Sequence, residues 1–313
     1  MPEYLTGLSR FVLVLTVGVS LAAGAHVSAR PASQEPVTLS VGTPGPVKPG
    51  GVALITVSAP QNLTAVRGEI AKRPIRFWQG ASPREWHGLI GVNLDAAPGS
   101  ITLAIHGTTA SGGAATTQVP IVVERYRYET RRLTVDPKMV NPPESELARI
   151  KQESQAMAEA FAILTPERFW RGAFDAPVPG EPNSAFGRLS ITNGKPAGRH
   201  QGADFRAASG TPVHAPNAGR VVLAQGLYFA GNTVIIDHGL GVFSLLAHLS
   251  RIGVVPGAMV ARGEVVGESG ATGRVTGPHL HWAVRFGEMT VDPLSLMSAV
   301  ANLQDEDASR HSN

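Results

Sequence analysis

Cysteine is absent from the 313 residues, and its absence has three consequences. No disulfide can stabilise the chain, even in an oxidising compartment. A closed structural zinc site, which commonly uses thiolates, is disfavoured. A lipoprotein is excluded, because no thiol exists to carry the lipid. Charge is sparse as well: Asp, Glu, Lys and Arg make up 16% of the residues, with a formal net charge of +3. So small an excess fits ordinary solubility as well as association with anionic wall polymers or lipid headgroups, and no nucleic-acid partner is expected. Glycine (35) and proline (24) are plentiful instead, and the length leaves room for two domains that each bury a core. Packing and metal must then supply the stability.

One apolar run stands at the start. Arg10 is followed by Phe11 to Leu21 and then by Ala22, Ala23, Gly24 and Ala25, the pattern of a secretory signal peptide over residues 1–29. The run is short for a membrane span, and an uncleaved anchor is the alternative. Export to the periplasm, the cell envelope or the exterior is therefore expected. Between 37 and 127, short apolar or alternating runs at Val37–Val41, Val52–Val57, Leu89–Leu94, Ile101–Ile105 and Val119–Val123 are separated by turn residues such as Pro44-Gly45-Pro46. They predict a small β-sandwich resembling an immunoglobulin-like domain, with Trp78 and Trp86 in its core. Arg125, Arg127, Arg131 and Arg132 read as a solvated basic connector. Within a linker at 128–182, Leu147, Ile150, Met157, Phe161 and Leu164 recur at threes, fours and sevens between Pro142-Pro143 and Pro166. This spacing predicts one amphipathic helix whose stripe packs on the domain that follows. Residues 301–313 are polar and predict a loose tail.

Histidine then gathers downstream. His200-x-Gly202-x-Asp204, Ala247-His248-Leu249 and His279-Leu280-His281 bring four imidazoles and a carboxylate into residues 200–281. Leu280, Trp282, Ala283, Val284 and Phe286 read as a buried strand, so His279 and His281 share one face. Gly202, with Gly198 and Pro196 before it, makes a loop entering a strand the reading for His200 to Asp204. A catalytic zinc takes three nitrogen or oxygen ligands and keeps a fourth position for water. Five residues exceed that need and leave two for proton handling and for developing negative charge. His238, in Asp237-His238-Gly239, reads as a turn residue rather than a ligand. His26, His87, His106, His214 and His311 have no spaced partner. Gly267-x-x-Gly270-x-x-Gly273 lacks the ending of a phosphate loop and reads as turn glycines.

Around these residues Ser184-Ala185-Phe186-Gly187, His200-x-Gly202-x-Asp204, Gly210-Thr211-Pro212-Val213, Gly219-x-Val221, Gly231-Asn232-x-Val234, Asp237-His238-Gly239, His248-Leu249-Ser250, Gly263, Gly273 and Gly277-Pro278-His279-Leu280-His281 follow in one order. Together they resemble the lysostaphin-type (LytM-like) zinc metalloendopeptidase family of peptidoglycan hydrolases, over about residues 183–296. The resemblance implies a C-terminal antiparallel β catalytic domain of the duplicated hybrid motif type at 183–300, and hence a mainly β chain. It implies zinc bound by His200, Asp204 and His281, and catalytic roles for His248 and His279. It also implies hydrolysis of peptidoglycan stem peptides or cross-bridges by metal-activated water. Two positions depart from the family. Leu246 stands where a Tyr often precedes the residue matching His248, and Arg188 stands alone where a pair of arginines often follows Phe-Gly. The alternative is a noncatalytic envelope protein that binds peptidoglycan or activates another wall hydrolase. Family members of that kind typically lack one or more of the five residues, and this chain has all of them.

Overall fold

The computed structural model describes residues 37–134 and 142–303. The predicted signal peptide, the predicted tail beyond 303, His26 and His311 lie outside the described residues. The fold is mainly β, with two helices among those residues.

Seven strands come first: β1 Ser40–Gly42, β2 Val52–Ser58, β3 Leu63–Ile70, β4 Arg73–Gln79, β5 Glu85–Gly91, β6 Gly99–Thr109 and β7 Ala114–Val123. Their antiparallel path runs β1-β2-β5-β4-β3-β6-β7. Alternation dictates the inner face: Leu103 and Ile105 of β6 and Ile121 and Val123 of β7 join Ile55, Val57 and Ile90 in one core. Val47 N donates to Val122 O (2.8 Å) and Glu124 N donates to Val47 O (3.0 Å), so the segment after β1 meets β7 and the sheet wraps around that core. The pairing describes one continuous path, and the two-sheet immunoglobulin-like arrangement expected from the strand spacing is not established by it. Trp78 is buried and Trp86 packs at the edge of the core. The hairpin of β3 and β4 escaped the sequence reading. Its turn residues Ala71 and Lys72 both have positive φ (48° and 63°), where Asn-Gly or Asp-Gly is the usual signal.

Only the end of the basic connector, from Thr130 on, is ordered into a strand. β8 (Thr130–Leu133) pairs parallel with β10 (Leu189–Thr192), which pairs antiparallel with β11 (Lys195–Arg199); Arg131 and Arg132 stay exposed on it. Helix α1 covers Glu144–Phe161. Its predicted stripe is buried only at the end. Ala160 and Phe161 pack on Leu223, Ile235 and Phe243, while Leu147 is 50% and Leu164 74% exposed. Further up the helix the attachment is polar: Glu153 Oε2 accepts from Tyr228 N (2.7 Å), and Glu153 Oε1 accepts from Arg149 Nε (2.7 Å). Leu164 lies beyond the last turn, which ends at Phe161 rather than at Pro166.

The rest is a ten-stranded sheet built from β9 (Pro182–Ser184), β12 (Ala203–Phe205), β13 (Pro212–His214), β14 (Gly219–Leu227), β15 (Gly231–Gly239), β16 (Val242–Ile252), β17 (Met259–Val260), β18 (Val265–Ser269), β19 (Leu280–Phe286) and β20 (Met289–Val291). Its main path is β17-β14-β15-β16-β19-β12-β9. Helix α2 (Pro293–Val300) is capped by Asp292, whose Oδ1 accepts from Leu294 N (3.0 Å), and it has proline in its first turn, both standard ways to start a helix. Burying its Leu296 and Val300 contributes roughly 1.5–3 kcal/mol each. Val52 N donates to Ser295 Oγ (2.8 Å), Lys48 Nζ meets Asp292 (2.6 Å), and Val52, Trp78 and Leu89 belong to the same core as α2. The seven-stranded sheet is thereby seated on this helix. An apolar cavity lined by Trp78, Trp170, Phe286 and Met289 among others lies toward the far end of β19 from His281 and holds none of the predicted site residues.

Candidate metal centre

Strand register assembles the site. Asp204 of β12 stands directly across from His281 of β19, and His281 stands across from Ala247 of β16 on the other side. Residues opposite one another share a face and approach within about 5 Å. His248, one residue on from Ala247, would point to the other face in a regular strand. It does not, because β16 carries an extra residue there: the pairs Val234↔Leu246 and Asn232↔Leu249 leave Ala247 and His248 opposite Thr233 alone. This bulge puts His248 at φ 65°, a left-handed conformation that costs roughly 1–3 kcal/mol for a non-glycine residue and is concentrated at functional sites. His200 follows β11 directly. Gly187 N donates to His200 O (2.8 Å) and His200 N to Arg188 O (2.9 Å), so two residues face one, with Gly187 at φ 79°. A side chain at Gly187 would collide with the Tyr128 ring.

Three atoms converge. His200 Nε2 lies 3.0 Å from Asp204 Oδ1 and 3.2 Å from His281 Nδ1, and the last two are 2.8 Å apart. His200 Nδ1 faces the Ala185 carbonyl (3.0 Å) and Ser184 Oγ (3.3 Å). A carbonyl only accepts, so Nδ1 carries the hydrogen and Nε2 offers a bare lone pair. That lone pair then confronts a carboxylate oxygen, a repulsive contact that a cation between them removes. Ligands about 2.05 Å from a tetrahedral zinc stand about 3.3 Å apart, close to the triangle seen, so the residues fit zinc. Burial works to raise the Asp204 carboxyl, but whenever His200 and His281 are protonated their hydrogen bonds and charge outweigh it and hold the group well below the usual carboxylate range, so protons and a cation compete for the same three atoms. Gly202 makes room for the cluster: a Cβ there would lie 2.5 Å from Trp282 O and 2.6 Å from the His281 ring.

His248 and His279 stand beside the triangle, their ring centres 4.8 Å apart, with His248 6.0 Å from His281. His248 Nδ1 faces Thr272 O (3.0 Å) and His279 Nδ1 faces Gly277 O (2.9 Å). In each ring the hydrogen on Nδ1 is thus engaged and Nε2 is the nitrogen turned toward the site, that of His279 3.9 Å from Asp204 Oδ1. Burial first, then the neighbouring His281, pushes His248 down to about 4, so it is neutral at neutral pH. All five predicted residues are thus brought together. Sequence reasoning missed Thr272, which also donates through Oγ1 to Leu249 O (2.7 Å) and accepts from Asn232 N (2.9 Å). Its signal was the neighbouring Gly273, whose Cβ would collide with Gly231 N. His238 needs correction. It is no turn residue but lies fully buried in β15, with Nδ1 facing Ala218 O (2.8 Å) and Nε2 facing Ser244 Oγ (2.9 Å). His87, also buried, faces Thr56 Oγ1 (3.2 Å) and Glu85 (3.2 Å).

The profile of peptidase family M23 matches residues 198–293, the stretch that holds all five. A crystal structure from Pseudomonas aeruginosa assigned to peptidase M23 is similar over far more: TM-score 0.62 at 32% identity, covering 82% of this chain and 96% of that one. The chain belongs to peptidase family M23. Among named relatives, the peptidoglycan DD-endopeptidase ShyA of Vibrio cholerae is 48% identical over 83 residues, 26% of this chain and 19% of that protein. The DD-carboxypeptidase/endopeptidase Mpg of Neisseria meningitidis is 41% identical over 108 residues, 34% of this chain and 25% of that protein. The similarity to these two relatives therefore spans a quarter of their length or less.

Proposed function

We propose that this M23 peptidase is an exported, zinc-dependent endopeptidase that hydrolyses peptide cross-links of bacterial peptidoglycan. The observation that carries the reading is the convergence of His200 Nε2, Asp204 Oδ1 and His281 Nδ1 with two further imidazoles beside them. The names of the relatives supply the substrate class. Zinc held by the three side chains would supply Lewis acidity to the scissile carbonyl and to the attacking water. His248 and His279 do the rest. Each has its Nδ1–H engaged by a carbonyl and Nε2 free, so either accepts a proton at Nε2 and, once protonated, donates from that atom to the oxyanion or the leaving amine. The rings are held by Thr272 O and Gly277 O, so they do not have to be reoriented during turnover.

Metal analysis of the purified chain tests this together with Asp204→Ala. The parent should hold about one zinc per chain and release soluble fragments from sacculi, while the variant should hold none and release none. Full metal occupancy in the variant, or no zinc in the parent after loading, overturns the ligand set.

A further inference from the structure

The bulge that turns His248 into the site is closed by a side chain from outside its two strands. Asn232 of β15 and Leu249 of β16 are the cross-strand pair at its lower edge. Thr272, half-buried in the segment between β18 and β19, donates through Oγ1 to Leu249 O (2.7 Å) and accepts at the same atom from Asn232 N (2.9 Å). A hydroxyl gives and takes a hydrogen bond at one atom, so this one links the N–H of one strand to the carbonyl of the other. The carbonyl of Thr272 meanwhile faces His248 Nδ1 (3.0 Å), and His248 N donates to Ala230 O (2.9 Å). Gly231 (φ 64°) lets the segment come this close, since a Cβ there would collide with Thr272. A left-handed residue other than glycine persists only where its surroundings over-determine it. His279 is held on simpler terms: its Nδ1 faces Gly277 O, two residues away (2.9 Å), so the aim of that ring is set within its own turn.

We infer that Thr272 is the positioning residue of His248. Its hydroxyl pins the bulge across β15 and β16 while its carbonyl takes the Nδ1–H, so one residue fixes both the backbone and the ring. This rests on the endopeptidase reading above and deepens it. Thr272 acts on the reaction through His248 alone and moves no proton itself.

Ring-nitrogen NMR of the full zinc-loaded chain at pH 7 gives the first readout: His248 should carry its hydrogen on Nδ1. Thr272→Val keeps the shape of the side chain and removes its donor and acceptor. It should displace the His248 signals and leave those of His279 and the zinc content unchanged. On soluble cross-linked muropeptides its kcat should fall by about 10- to 100-fold with KM near the parent value, the scale of an ångström-sized misplacement of a catalytic group. Thr272→Ser restores the hydroxyl and should return signals and turnover to near those of the parent. A parent ring with its hydrogen on Nε2 overturns the inference, and this arm needs no variant to fold. So does a Val variant with parental signals and turnover, one that sheds zinc, or a Ser variant as slow as the Val variant. A parent that cleaves nothing overturns the endopeptidase reading instead, and the ring signals then decide by themselves whether Thr272 positions His248.

Discussion

Two histidine clusters lie in the same sheet of this protein, and they are built on opposite terms. Around His238 every polar atom is answered. Trp282 Nε1 donates to Ser244 Oγ (3.2 Å), Ser244 Oγ lies 2.9 Å from His238 Nε2, and His238 Nδ1 lies 2.8 Å from Ala218 O. One chain of donors and acceptors closes with a neutral ring and no exposed atom, which is the condition for burying polar groups cheaply. Around His200, Asp204 and His281 the acceptors face each other instead, and each of these side chains keeps about a fifth of its surface open (17%, 20% and 18%). Both clusters are built around imidazole, one with Ser244 and Trp282 and the other with Asp204. What separates a structural histidine from a functional one is whether both ring nitrogens already have a protein partner.

The sharpest way to break this comparison is to remove an imidazole that stands beside the triangle without belonging to it. His248→Ala and His279→Ala should each keep the zinc and lose about 10²- to 10⁴-fold in hydrolysis, the range for losing a proton-transfer group. Wall digestion near the parent rate would remove both from the mechanism. Loss of metal from either variant would move that histidine among the ligands.

The open cluster was legible in the sequence because its residues are spaced by strand geometry and flanked by turns: His279 and His281 two apart where β19 begins, His200 and Asp204 across a glycine that the His281 ring requires. The bulge that turns His248 into the site left no mark of its own, since Leu246, Ala247 and Leu249 are all buried and the run reads as a regular strand. The closed cluster was misread for a related reason. Asp237-His238-Gly239 has the composition of a turn, but Leu240 and Gly241 make the reversal (φ 53° and 82°) and leave His238 inside. The helix stripe failed because period alone does not say which part of a helix meets a surface. Only the end bearing Phe161 does, and the rest is held by Glu153.

Protonation probes the closed cluster with the next largest effect. Burial depresses His238 from 6.5 to about 4, so between these values the unfolded chain binds a proton that the folded chain refuses. Stability from this group is complete above about pH 6.5 and is lost as pH falls toward about 4, by up to about 3 kcal/mol. Denaturant melts of the metal-stripped protein at pH 7, 5.5 and 4.5 should show the loss, and His238→Gln should make the slope shallower. An identical slope in the variant would mean that the ring is solvated rather than sealed.

The smallest effect falls on the residue that links the clusters. Ser244 serves His238 and Trp282 at once, and Trp282 follows the ligand His281 in β19. Ser244→Ala leaves the Trp282 Nε1 and the His238 Nε2 buried without partners, which should cost about 2 kcal/mol of stability. The two residues nonetheless point to opposite faces of the strand, as successive residues do. Trp282 lies in the apolar core, whereas His281 meets Asp204. Zinc content and hydrolysis at 25 °C should therefore match the parent while the denaturation midpoint falls. If the variant instead sheds zinc at a temperature where it is fully folded, the open site depends on the closed one through β19, and the two cannot be treated as separate designs within one sheet.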